Sequence, residues 1–201
     1  MKKLSIALGT GALTLTLAIT GCSTESPGEA SSSASASASA SASASSVGAG
    51  DVMFATMMIP HHQQAVQMAE IIADKPDVDA RVSALAARIA QAQGPEIERM
   101  QGWLSNWGVP TEAASADAGG MHHGMSGMLS DDDITRLEAA PGAEAGRLFV
   151  EQMIAHHEGA IEMARTALTD ARSPEVRELA QQVVDDQSTE IAEMQELLSS
   201  L

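Results

Sequence analysis

From Asp51 onward the chain repeats apolar positions at spacings of three and four. Asp51, Phe54, Met58, His61, Ala65, Met68 and Ile72 fall on one helical face, which predicts a helix over about 51–73. The turn-forming run Asp74-Lys75-Pro76-Asp77 ends it, and a second helix is expected over about 79–107, with Ile89, Gln93, Met100 and Leu104 as its stripe. Further helices are expected over about 144–169 and 174–199, where Ser173-Pro174 supplies a cap followed by a first-turn proline. Ser130-Asp131-Asp132-Asp133 caps a short helix expected to run to Glu138. Pro60 predicts a kink ahead of His61, and Gly94-Pro95 predicts a bend. Strand-like alternation is absent and β-branched residues are sparse.

The pattern is duplicated. Met58-Ile59-Pro60-His61-His62 recurs as Met153-Ile154-Ala155-His156-His157, flanked by the matches Phe54 with Phe149, Ala65 with Ala160, and Met68-Ala69 with Met163-Ala164. After a one-residue length change in the turn, Gln93, Glu96, Ile97, Met100 and Leu104 match Gln187, Glu190, Ile191, Met194 and Leu198. Each repeat is therefore a helical hairpin. Two such hairpins can bury their stripes only against each other, which gives an all-α antiparallel four-helix bundle. The expected organisation is repeat one at 51–109, a connecting loop at 110–143 and repeat two at 144–201.

The first fifty residues follow a different logic. Lys2 and Lys3 precede an apolar run from Leu4 to Ile19, too short for a stable membrane span, that leads to Gly21-Cys22. Small residues before the chain's single Cys resemble a bacterial lipoprotein signal over 1–21, with Cys22 lipidated. The Ser/Ala-rich stretch that follows, to residue 50, has too few bulky apolar groups to offset its ordering entropy and is expected to be a disordered tether.

Composition narrows the function. With 27 Asp and Glu against 11 Lys and Arg, the net charge of −16 disfavours nucleic acid, whose phosphates are neutralised by cations. Two Phe, two Trp and no Tyr leave little to stack bases or sugars on. One Cys excludes an internal disulfide and an all-Cys zinc site. Among the 201 residues there are also 12 Met, and the six His form three adjacent pairs.

On a helical wheel Met58, His61 and Met68 share a face with His62 at its edge, and Met153, His156, His157 and Met163 repeat the arrangement. Glu96 and Glu190 fall near the apolar stripes of their own helices. A carboxylate there needs a partner, a proton or a metal. Imidazole and thioether together suit Cu(I), with Cu(II) tolerated by imidazole and carboxylate; another transition metal remains an alternative. A di-iron bundle would place Glu three residues before His, and here those positions hold Met58, Ile59, Gly119, Gly120, Met153 and Ile154. Met121-His122-His123-Gly124-Met125 in the connecting loop has the composition of a soft-metal collector or of a plain linker. Hydrolase, zinc-protease and nucleotide-loop motifs are absent, so no catalytic residues are assigned.

The motifs around His61-His62 and His156-His157, with Gln93, Glu96 and Met100 and their partners, resemble the family known as domain of unknown function 305, over about 51–199. The resemblance implies a ferritin-like helical fold, a secreted or lipid-anchored location and, for some members, copper binding and copper tolerance. It also implies an acidic residue where Asp51 stands; Gly146 takes that place in repeat two.

The reading is a copper-binding lipoprotein held at the membrane through Cys22, sequestering copper or passing it to a copper-handling protein. His61, His62, Met58, Met68, His156, His157, Met153 and Met163 are the expected ligands. Asp51, Glu96, Met100, Glu190, Met194, Met121, His122, His123 and Met125 are alternates or supports. Ligand histidines must be neutral, so affinity is expected to weaken as pH falls through about 6.5. Two other readings stay open: a ferritin-type redox enzyme, and an envelope module whose His pairs only organise the core.

Overall fold

The computed structural model describes residues 47–110 and 126–201. The signal segment, Cys22, the tether up to residue 46 and Met121, His122, His123 and Met125 lie outside the described residues, and the end of the expected tether, Ala49 and Gly50, instead opens the first helix. Five helices and no strands are found among those described: α1 Ala49–Ala73, α2 Ala80–Asn106, α3 Asp131–Ala139, α4 Gly142–Asp170 and α5 Pro174–Ser199.

The boundaries follow local chemistry. Asp79 caps α2 through the Arg81 N–H. Ser130 and Asp133 form a reciprocal capping box on α3. Ser173 accepts from the Val176 N–H, with Pro174 opening α5 where a backbone donor would be idle in any case. α1 runs unbroken through Pro60 and α2 through Pro95, so each proline removes one hydrogen bond without ending its helix.

The two hairpins, α1–α2 and α4–α5, pack as a four-helix bundle through α1 and α4. The first half of α1 shares a cluster with the second half of α4, through Phe54, Met58, Ala160 and Ala164. The second half of α1 shares another with the first half of α4, through Met68, Ile72, Phe149 and Met153. The two central helices are thus antiparallel. The outer pair, α2 and α5, meet through exposed polar contacts, Arg88 with Glu193 and Arg81 with Ser200. Exposed ion pairs such as Arg88–Glu193 contribute little; the fold rests on the two apolar clusters.

Candidate metal centre

Between the two clusters lies a polar layer. His61, His62, His156 and His157 are all fully buried. The wheel put His62 and His157 at the edge of a stripe. They are interior because α1 and α4 each face two neighbours, which widens the buried arc beyond one stripe.

The duplication sets the geometry. His61 and His156 occupy the same place in the two repeats, and their rings meet with centroids 3.8 Å apart, tilted by 37°. His156 and His157 are 6.3 Å apart between centroids. On each flank an imidazole Nε2 pairs with a carboxylate from the hairpin's second helix: His62 with Glu96 at 2.8 Å, and His157 with Glu190 at 2.7 Å. The two glutamates on the stripes are therefore explained as partners of the layer.

Those partners fix where the lone pairs are. A carboxylate and a carbonyl only accept, so the imidazoles facing them donate through Nε2–H. In a neutral ring the other nitrogen, Nδ1, then carries the lone pair. His61 Nε2 lies 3.2 Å from the Ser126 carbonyl oxygen, so His61 follows the same rule as His62 and His157. All four Nδ1 atoms are buried without a hydrogen-bond partner, and so is Nε2 of His156. Buried polar nitrogens rarely go unpartnered. Imidazole lone pairs backed by carboxylates through the opposite nitrogen are the usual preparation for metal ligation. Among the described residues, however, no group of three His, Cys, Asp or Glu converges as a ready ligand set.

Burial keeps the two central rings, His61 and His156, neutral. Desolvation, then the neighbouring His62, lowers the His61 imidazole from 6.5 to about 3, against the Ser126 carbonyl, which raises it. Desolvation, followed by His61, pushes His156 well down too. For these two rings the loss of lone pairs expected near 6.5 is displaced to lower pH.

The thioethers are distributed differently from the expectation of one set per repeat. Met58 and Met100 lie in one cluster with Met163 against it, and Met68, Met153 and Met194 lie in the other. Antiparallel packing of α1 on α4 thus mixes methionines of both repeats on each side of the layer. Asp51 is a correction. It lies ten residues, about 15 Å of helix, before His61, and its carboxylate accepts the backbone N–H groups of Gly48, Arg172 and Ser173. It is a cap across the hairpins, remote from the layer.

Two features of the site had no role assigned from the sequence. Gln93 and Gln187 are buried with their Oε1 atoms unpartnered; a duplicated amide in an apolar stripe was the available signal. The seat of the connecting loop left no such trace. Gln64 holds the Leu129 backbone with both ends of its amide, and the Ser126 hydroxyl donates to Glu162 at 2.6 Å. Gly127, at φ +81°, packs against Gly159 and the carbonyls of α4, and a Cβ on Gly159 would collide with the Ser126 carbonyl. Gly159→Ala is therefore expected to unseat the loop and cost about 1–3 kcal/mol by urea denaturation; an unchanged midpoint would count against this close approach.

The comparisons agree with this architecture. The family model described as "Domain of unknown function (DUF305)" matches residues 51–198. A DUF305 protein from Streptomyces coelicolor, described as a candidate secreted protein, is 34% identical with a TM-score of 0.68, covering 75% of this chain and 93% of its own. A DUF305 fragment from Deinococcus radiodurans is 31% identical with a TM-score of 0.66, covering 77% and 99%. CopM in its Cu(II)-bound form is 34% identical with a TM-score of 0.62, covering 75% and 96%, and it has also been solved with Cu(I) and with Ag. No curated protein matches the chain.

Proposed function

We propose a copper-binding role for this chain, which belongs to the DUF305 family. The observation that carries the proposal is the buried layer of four histidines whose Nδ1 atoms face no partner. His61, His62, His156 and His157 would supply imidazole nitrogens, and Met58, Met68 and Met153 thioethers from either side, while Met163 of the expected set faces a groove between α1 and α4. Glu96 and Glu190 would orient the flanking rings, with Met100 and Met194 as alternate sulfurs. Soft thioether beside imidazole favours Cu(I). CopM, solved with Cu(I), Cu(II) and Ag, supports the choice of metal class.

The role is uptake and release rather than catalysis: copper held outside the cytoplasm is sequestered or passed to a copper-handling partner. Cys22 would anchor the protein to the membrane by its lipid. The likeness to a candidate secreted protein supports an extracytoplasmic site, and no helix among the described residues is long and apolar enough to cross a membrane.

The test is competitive Cu(I) titration of the chain carrying Cys22→Ser, which removes the only thiol. Replacing His61, His62, His156 and His157 together by Leu should lower the copper stoichiometry, with folding checked by circular dichroism. A folded variant with undiminished stoichiometry would overturn the assignment.

A further inference from the structure

The seam between α1 and α4 has two ends related by the duplication, and they are finished differently. At one end α3 lies over the seam. Leu129, Ile134 and Leu137 join the core there, and the Gln152 amide donates to the Asp133 carbonyl at 3.4 Å. At the other end, among the described residues, the seam is an open groove of about 130 Å³, lined by Met53, Phe54, Met57, Met163, Thr166 and Asp170 among others.

The side chains of the open end are the informative part. The duplication matches Met53, Met57 and Met163 with Leu148, Gln152 and Met68, so the covered end has one methionine where the open end has three. Met53 is 53% exposed, and Met57 and Met163 are half-buried. Met53 and Met57 are one turn apart and so share a face of α1, while Met163 comes from α4 across the groove. Flexible methionine often fills irregular cores, but that use does not account for three of them lining a wet groove. Nor does it account for Met163, which the sequence grouped with His156 and His157, lining that groove.

We propose that Met53, Met57 and Met163 form a second site, on the surface, for a soft monovalent cation such as Cu(I) or Ag(I). The proposal rests on the copper reading above only for the identity of the natural cation. Thioether sulfur is a soft ligand and has no proton to lose, so binding in the groove does not depend on pH. Met57 precedes His61 by four residues, about 6 Å along α1, so the groove lies one helical turn from the histidine layer.

The test uses Ag(I), which needs no reductant, on the Cys22→Ser chain with methyl-¹³C methionine. Silver should shift the methyl resonances of Met53, Met57 and Met163 at pH 7 and at pH 5. Met53→Leu/Met57→Leu, which conserves volume, should bind one silver equivalent fewer with an unchanged thermal melt. Unmoved Met53 and Met57 methyls at saturating silver, or full stoichiometry in the double variant, would overturn the site. The wild-type shifts need no substitution, so a variant that misfolds does not block the answer. In the four-histidine Leu variant, groove methyls that still shift support an independent site. If they still shift while the silver count is undiminished, the groove stands and the histidine layer falls. Groove shifts that vanish when the histidines are removed overturn the independence of the groove.

Discussion

Lowering the pH from 7 to 5 is expected to destabilise the metal-free bundle by about 2 kcal/mol through His61, with His156 adding to the loss in the same direction. In the unfolded chain an imidazole protonates near 6.5; in the fold His61 does so only near 3, and His156 is also pushed well down by burial. Between those values the unfolded state binds more protons, so stability rises with pH across the window. It is complete above about 6.5 and falls away as the pH drops toward 3. At pH 5 the His61 ring costs about 2 kcal/mol, at 1.36 kcal/mol per pH unit, and His156 acts in the same sense. Against the 5–15 kcal/mol typical of a domain, this is a large fraction of the whole. Urea denaturation at several pH values measures the slope. His61→Leu/His156→Leu should flatten it, and a wild-type slope already flat between pH 7 and 5 would refute the account. Copper held by these rings would bind only the folded state, so it should restore part of the lost stability by mass action.

The same histidines show what could and could not be read from the sequence. The helices, their caps at Ser130 and Ser173 and the duplication were legible because they are written in local spacing and in self-similarity. The pairing of Glu96 with His62 and of Glu190 with His157 was half legible: a carboxylate on an apolar stripe announces a missing partner, although its identity depends on how two helices are turned toward each other. The contact of His61 with His156 was not legible, because it follows from the antiparallel crossing of α1 and α4. That crossing also exchanges Met58 and Met153 between the two sides of the layer, which no wheel drawn for one helix can show. The Ser126 carbonyl is a backbone atom and leaves no signature in residue type. Family resemblance drew attention to Asp51 as an acid, and only the packing shows which donors it serves.

Removing that acid is the second large effect. Asp51 is fully buried, yet it accepts from Gly48 N–H at 2.6 Å, Arg172 N–H at 3.0 Å and Ser173 N–H at 2.8 Å. One carboxylate therefore closes the start of α1 and pins the α4–α5 turn of the other hairpin. Asp51→Ala would strand these donors. At about 1–3 kcal/mol for each buried group left unsatisfied, a loss of at least about 3 kcal/mol is expected by urea denaturation. Asp51→Asn should not restore wild-type stability, since it keeps one acceptor oxygen and presents an amide N–H₂ to donors. The metal readout separates this role from ligation. Under conditions where the variant stays folded, copper stoichiometry should equal that of the wild type, and a lost equivalent would return Asp51 to the site. The second repeat points the same way. Gly146 stands in the place of Asp51 and packs near Val78 and Val82, whereas both His–Glu pairs persist. The duplication has let the cap diverge while keeping the histidine layer, as expected if the acid serves one particular turn and the layer serves both hairpins.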